Sequence, residues 1–301
     1  MPLLTIFTAP KPFTNPHIDT IQRNAIQSWL QLGPDVEVFL IGEEAGLAEV
    51  AREFGVTHLP DVRRNSEGTP LVSSIFDLAR QASSSPLLAY VNADIILLPD
   101  FVTAARQVMK QAEQFLIVGQ RWDLDVRSRL DFSPGWEERL RTDLNARGRL
   151  HPPAGSDYFI FPRALFTEMP EFAIGRAGWD NWMIYHARKQ GFPTIDATPS
   201  IQIVHQDHDY SHLPGGRPHY DLEESSRNMA LAGGSQNMYI VLDTDKQFSG
   251  GRIHAPRLTV LRVVRRAELW LTPANGKRQG PRWAAARVLR RFRRRRTKSR
   301  L

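Results

Sequence analysis

The sequence predicts a layered α/β protein built around a largely parallel sheet, followed by a basic C-terminal extension. Three observations carry this expectation. Apolar strand-like runs and helix-period segments alternate through the first 120 residues, which is the order a sheet covered by helices demands. The 301 residues, 42% hydrophobic and 24% charged, have the length and composition of a globular protein with a sizeable core. Charge is also divided: residues 252–301 hold 17 Lys and Arg against the single acid Glu268, so the first 251 residues are net acidic although the chain is +7.

Taken in order, residues 3–8 read as a buried strand that stops at Ala9-Pro10-Lys11-Pro12. Asn15-Pro16 opens a helix, with asparagine as cap and proline in the first turn. Ile18, Ile21, Ala25, Ile26, Trp29 and Leu30 follow at helical spacing until Gly33-Pro34. A second strand covers 36–42, a helix around 47–54 leads to a short strand at 56–59, and 71–82 is helical until Ser83-Ser84-Ser85-Pro86. Residues 87–91 form a buried strand, followed by Asn92-Ala93-Asp94 and then Ile95-Ile96-Leu97-Leu98. Asp100 is expected to cap a helix running to about Gln114, ahead of a strand at 115–119.

Beyond residue 120 the rhythm changes. Residues 123–150 read as an insertion rich in arginine and aspartate, 158–161 as a strand, 179–190 as a helix closed by Gly191, and 201–204 as the last clear strand of the core. The stretch 205–234 is polar and rich in histidine and glycine, the composition of a functional loop or lid. The body is therefore expected to end near 250, in a half at 1–120 and a second at 121–250, with 251–301 an extension that is partly helical or disordered.

Several classes are excluded. With no cysteine there is no disulfide scaffold, cysteine-ligated zinc, iron–sulfur cluster or thiol nucleophile. No apolar run is long enough to span a bilayer, and the N-terminus lacks the pattern of a secretion signal, so the expected location is cytoplasmic. Neither the dinucleotide fingerprint nor the phosphate loop of the NTPases is present.

The run Arg290-Arg291-Phe292-Arg293-Arg294-Arg295-Arg296 is expected to stay solvated, because like charges at that density repel. Behind the amphipathic stretch 283–289, it suits an anionic membrane surface engaged by Arg287 and the basic residues up to Arg300, each worth about 1 kcal/mol. That would place the protein at the inner face of the membrane. Nucleic acid is the rival partner for such a tail and is not expected here; a solvated tail without a partner is the plainest alternative.

Four constellations carry candidate chemistry. Asn92-Ala93-Asp94 interrupts an apolar run where a strand ends, the edge at which open α/β sheets bind ligands. The Asp94 carboxylate there is a hard ligand for Mg²⁺ or Mn²⁺, against the simpler reading of a turn residue. His205-Gln206-Asp207-His208-Asp209-Tyr210-Ser211-His212 packs three histidines and two aspartates into eight residues, a composition for metal or phosphate, although polar loops also collect histidines. In Gly178-Trp179-Asp180-Asn181-Trp182, Asp180 reads equally as a helix cap or as a general base kept ionised by the helix N-terminus. Its flanking Trp179 and Trp182 are either core or a platform for a sugar ring. Gly155-Ser156-Asp157 is a further candidate substrate-facing turn, and Arg63 and Arg64 lie in a polar loop that reads mainly as solvated.

Together these residues resemble the GT-A class of nucleotide-sugar glycosyltransferases, in particular its bacterial family-two-like members, over residues 1 to about 212. The resemblance implies a three-layer α/β/α mixed sheet of nucleotide-diphospho-sugar transferase type. It implies a nucleoside site at Thr8, Ala9, Pro10 and Lys11, and a counterpart of the Asp-x-Asp motif at Tyr90-Val91-Asn92-Ala93-Asp94-Ile95. Asparagine in the first acidic place leaves Asp94 as the direct metal ligand, with Asn92 nearer the ribose or a bound water. His205 and His208 are the candidates to complete the Mn²⁺ or Mg²⁺ shell. Gly178-Trp179-Asp180 resembles the turn that supplies the base of inverting members, and Asp157, Trp179 and Trp182 are assigned to the acceptor. The implied reaction transfers a sugar from a nucleoside diphosphate sugar, uracil being the class's commonest base, to a hydroxyl of a glycan or lipid-linked glycan. The alternatives are a metal-dependent hydrolase using 205–212, a nucleic-acid-binding protein acting through its arginine tail, and a nucleotidyltransferase. The last lacks its glycine- and arginine-rich loop at 8–12.

Overall fold

The computed structural model describes residues 1–208, 222–273 and 279–298. In chain order the elements are β1 (Leu4–Thr8), α1 (Pro16–Leu30), β2 (Val36–Ile41), α2 (Leu47–Phe54), β3 (Thr57–Leu59), α3 (Val72–Ala82), β4 (Leu87–Val91), β5 (Ile95–Ile96), α4 (Asp100–Met109) and β6 (Leu116–Val118). There follow β7 (Trp122–Leu124), α5 (Trp136–Arg147), β8 (Arg149–Leu150), β9 (Tyr158–Pro162), α6 (Trp179–Gln190), β10 (Thr194–Asp196) and β11 (Val204–Gln206). The chain continues through α7 (Glu223–Leu231), β12 (Lys246–Ser249), β13 (Arg252–His254), α8 (Val260–Leu271) and α9 (Pro281–Lys298).

Among the described residues the main sheet has nine strands in the order β13-β12-β10-β6-β9-β4-β1-β2-β3. It is mixed: β9 runs antiparallel between β4 and β6, and β12–β13 is a hairpin. The first half is parallel because each β1–β2 and β3–β4 connection contains a helix, which only a crossover can accommodate. Along β1 the side chains alternate, Leu4 and Ile6 to the layer of α1, α2 and α4, Phe7 to the layer of α3 and α6. The result is the expected three-layer α/β/α arrangement.

Local signals act as the sequence suggests. The Asn15 side chain accepts from the amides of His17 and Ile18 at 2.9 and 3.1 Å and so caps α1. Gly191 closes α6 in the left-handed conformation, φ 79°. Asp100 is instead the first residue of α4, behind Pro99, and its carboxylate accepts from the Gln202 amide and from Arg141.

A second sheet, β5-β11-β7-β8, sits beside the first and packs on α5. The supposed insertion 123–150 is thus half of this sheet and its covering helix. The last strand of this region is Val204–Gln206, not 201–204, because pairing to β5 and β7 fixes its span. Core strands continue past it at β12 and β13, so a boundary at 250 would cut the hairpin whose turn is Gly250-Gly251; the extension begins after His254.

That extension is two packed helices. The arginine run does not stay wholly solvated: Arg293 is buried and, with Arg290 and Arg265, converges on the buried Glu268. One carboxylate under three guanidiniums relieves the repulsion on one face of α9, while the opposite face keeps its arginines in water.

Candidate functional site

The order β3-β2-β1-β4 reverses direction between β1 and β4, a switch point where ligands bind beyond the strand ends. Lys11 follows β1 and Asn92 to Asp94 follow β4 at this crevice. Because β9 runs antiparallel to β4, its entry residue Asp157 lies beside the exit of β4, and the Asn92 amide donates to the Asp157 carbonyl at 2.9 Å.

The second sheet delivers the histidine. His205 is paired with Ile95 on one side and with Asp123 on the other. Gln206 locks this register: its Nε2 donates to the carbonyls of Ile21 and Asp94 at 2.7 and 3.1 Å, and its Oε1 accepts from Asn24 Nδ2 at 3.0 Å.

Asp94, His205 and His208 accordingly converge, with their ligand atoms within 4.8 Å of one another. His208 Nε2 lies 3.0 Å and His205 Nε2 4.0 Å from Asp94 Oδ2. Burial alone would raise the Asp94 carboxyl, but the hydrogen bond to His208 and the charges of His205 and Lys11 hold it far below its ordinary value. Its other oxygen, Oδ1, is buried with no hydrogen-bond partner among the described residues. An ionised carboxylate with an orphaned oxygen beside two imidazoles is a donor set that fits Mn²⁺ or Mg²⁺, more closely the former because of its nitrogens. Lys11 Nζ stands 3.2 Å from His208 Nε2 and 3.9 Å from Asp94 Oδ2, its pKa lowered by burial against the pull of Asp94.

A ring of partners, of which sequence reading singled out only Asp207, orients these groups. His205 Nδ1 faces Asp123 Oδ1 at 3.4 Å and Asp207 Oδ1 at 3.7 Å, which turns Nε2 toward Asp94. Burial alone would lower the imidazole, but Asp123, Asp207 and Asp94 push it up to about 9. Asp123 is itself paired with His151 Nδ1 at 2.7 Å and Arg121 Nε at 2.9 Å. Arg121-Trp122-Asp123 directly after a strand was the available signal, but an Arg- and Asp-rich stretch reads first as surface.

The cavity in front of these residues has a volume of about 860 Å³. Ala9, Lys11, Asn92, Asp94, Asp157, Trp179, Asp180, His205 and His208 all line it, whereas Thr8 and Pro10 are buried behind the wall. Thr8 and Pro10 are therefore not among the residues that line the cavity. Trp182 is a correction: it packs on Phe172 and stacks on His186 at 4.5 Å, outside the cavity. Trp179 is also mainly core, edge-on to Tyr90 at 4.9 Å, because an aromatic layer needs it there. Asp157 accepts from Arg121 Nη1 at 2.7 Å and from Asn92 Nδ2 at 2.9 Å, both at Oδ1, and Asn92 thereby braces Asp157.

Asp180 sits in the first turn of α6, behind the cap Gly178, and is not itself the cap. Nor does the helix end keep it at low pKa. Burial raises its carboxyl above the ordinary value, Asp157 adds to this, and the backbone amides of Asn181, Gly178 and Ser156 only partly oppose. The far wall is basic and comes from the extension: Arg265 of α8 with Trp283, Arg290, Arg293 and Arg294 of α9. Nothing in the composition of the tail tied it to this cavity. Of the histidine cluster, residues 209–212 lie outside the described residues.

No family model matches the chain, and no curated protein matches it. Among solved structures it is similar to glucosyl-3-phosphoglycerate synthase from Mycobacterium tuberculosis in complex with Mn²⁺, UDP and glucosyl-3-phosphoglycerate, with 17% identity, TM-score 0.47, and 86% of this chain and 88% of that chain covered. It is also similar to a mannosyltransferase from Pyrobaculum calidifontis in complex with GDP-Man and Mn²⁺, with 13% identity, TM-score 0.44, and 67% and 56% covered. At such identities and scores similarity of outline carries no function, which is read instead from this chain's own side chains.

Proposed function

We propose that the protein is a metal-dependent glycosyltransferase. It moves a sugar from a nucleoside diphosphate sugar, UDP-linked, to a hydroxyl of a glycan or lipid-linked glycan. The observation that carries this reading is the convergence of Asp94, His205 and His208 at the sheet's switch point, with Asp94 Oδ1 unpaired among the described residues and Lys11 near Oδ2. A divalent cation held by these three residues would neutralise the charge that builds on the departing diphosphate.

The chain's own residues supply the rest. Lys11 offers an ammonium to a diphosphate oxygen, and Ala9 and Lys11 form the cavity wall on the nucleoside side. Asp180 accepts the proton of the acceptor hydroxyl as that oxygen attacks the anomeric carbon and the bond to the diphosphate breaks, with inversion. A carboxyl whose pKa is raised above its ordinary value is the stronger base for this step. Arginines on the α9 wall suit an acceptor that bears phosphate, as a lipid-linked glycan does.

The test is thermal unfolding against a panel of nucleoside diphosphates and sugar nucleotides, each with Mn²⁺ or with EDTA. A ligand at one hundred times its dissociation constant adds about 2.7 kcal/mol. One base is expected to stabilise only with metal, and Asp94→Ala to lose the effect. If metal alone stabilises and no nucleotide adds to it, the glycosyltransferase reading fails and a hydrolase at the histidine cluster takes its place.

A further inference from the structure

Helix α8 buries charged side chains and leaves part of its apolar surface in water, although Leu261, Val264, Leu269 and Leu271 are half-buried. Its buried face carries Arg262, Arg265 and Glu268, at 5%, 4% and 0% exposure, while Val260, Val263 and Trp270 stand 69%, 49% and 73% exposed. Leu258, just ahead of the helix, is 72% exposed. Positions 260, 263 and 270 fall on one stripe at helical spacing. In water an amphipathic helix turns such a stripe inward, since apolar burial drives its docking.

Here the opposite orientation is held by a specific network. Arg262 donates to the carbonyls of Leu242 and Thr244, both at 2.9 Å, and pairs with Asp196 at 3.2 Å. Arg265 pairs with Asp243 at 2.9 Å and with Glu268 at 3.0 Å. Rolling the helix to hide its apolar stripe would break every one of these contacts. The outward face is therefore fixed by the fold.

We infer that α8 and the outer face of α9 dock on an anionic bilayer surface, with Leu258, Val260, Val263 and Trp270 entering the headgroup boundary. Charge decides between possible occupants. Arg257, Arg266 and Arg282 neighbour the stripe in sequence or in space, and the guanidinium of Arg282 lies 5.4 Å over the Trp270 ring. On α9 the exposed Val288 and Phe292 are interleaved with exposed Arg287, Arg291 and Arg295. A second copy of this chain would bring arginine against arginine, since residues 252–301 contain one acid. Apolar side chains with a tryptophan among basic residues are the arrangement that gains from acyl boundary and anionic headgroup together. This docking would leave the cavity-lining arginines Arg290, Arg293 and Arg294 to the substrate.

The experiment uses the full chain and sedimented vesicles of phosphatidylcholine, with or without phosphatidylglycerol. The wild type is expected to bind the mixed vesicles and to release them when phosphatidylglycerol is omitted. Val260→Ser, Val263→Ser and Trp270→Ser combined should weaken binding at least about tenfold. Arg287→Glu with Arg291→Glu should abolish the preference for the anionic lipid. The replaced side chains are solvent-exposed, so the thermal transition and any nucleotide-dependent shift should stay as in wild type. Three results overturn the inference: vesicle binding that is absent, or that is indifferent to the serine variant; a dimer that the serine variant dissociates without change in vesicle binding; or tight binding of an oligonucleotide that needs Trp270 while vesicles are ignored.

Discussion

Replacing Glu268 by glutamine tests how the extension is held to the body. Four hydrogen bonds reach this fully buried carboxylate: from Arg265 Nη1 at 3.0 Å, Arg290 Nε at 2.7 Å, and Arg293 Nε and Nη2 at 2.9 and 3.4 Å. Burial alone would raise the carboxyl, but Arg293, Arg265 and Arg290 hold it below its ordinary value. Glutamine keeps the size and removes the charge. Arg265 would retain Asp243, whose two oxygens each lie 3.0 Å from its Nε. Arg290 is partly exposed and can turn to water, at a cost of about 1 kcal/mol or less. Arg293 is left buried without its anion, and breaking such a pair costs about 3–5 kcal/mol. Undocking offers a cheaper escape, because on α9 only Ala286 is fully buried among the apolar residues. The loss is thus capped at the docking energy of α9, and the helix should open before the body unfolds. Hydrogen exchange at neutral pH should show protection of residues 281–298 falling by roughly two orders of magnitude, from about 3 kcal/mol at about 1.4 kcal/mol per decade. Amides of β1 and β4 should be unchanged. Acid should mimic the substitution in the wild type, since a depressed carboxyl contributes above its unfolded value and is lost as pH falls through its folded one. Unaltered protection of α9 in Glu268→Gln would refute the reasoning.

Asp94→Asn removes the ionised oxygen and should weaken Mn²⁺ binding by calorimetry at least about 100-fold, whereas Asp123→Asn, which only frees the back of His205, should cost about 10–100-fold. Equal effects from the two would contradict the assignment of ligand and support. Asp180→Asn should lower sugar transfer about 10²–10⁴-fold and raise stability at neutral pH by about 0.5–2 kcal/mol. Because its folded pKa is raised, the stability difference should vanish below the unfolded value and grow as pH rises through the folded one; melting curves across pH check the sign. Trp182→Ala should cost about 3–5 kcal/mol in denaturant unfolding, with nucleotide-dependent stabilisation retained.

Much of the α/β frame was legible because β1 and β4 are wholly buried apolar runs and β2 mostly so, bounded by prolines or polar turns, and α1 has an identifiable start. The polar break after β4 and the histidine loop each stand out against their surroundings, and the resemblance to the GT-A class joins Asp94, His205 and His208 in one metal group, as their convergence allows. Sequence reading failed where function is made of pairs. Arg121, Asp123 and His151 look like surface residues until β7 and β8 bring them behind His205. The tryptophans beside Asp180 went the other way: a pattern that could serve as a sugar platform is mainly an aromatic core, because Phe76, Tyr90 and Phe159 already await Trp179 on the sheet. The arginine tail misled through its composition, as repulsion along one helix says nothing of a single buried acid on its neighbour.

The two sides of the cavity therefore depend on different physics. On the metal side, placement is a question of strand register. Val204, His205 and Gln206 alternate across β11, so a slip of one residue would send His205 into the core of α1 and present Gln206 to Asp94. The buried Gln206 amide prevents this by tying β11 to α1 and to the backbone of Asp94 itself, so the ligand geometry is inherited from sheet hydrogen bonds that salt does not screen. On the opposite side the wall is helical: α8 is fixed through Asp196 and Asp243, whereas α9 is held by one carboxylate against its guanidiniums, with little apolar area beneath it. A site assembled in this way has a rigid half that can position a metal and a reacting bond. Its other half can yield, and Arg290 and Arg293, which hold it to Glu268, are also among the residues that line the cavity.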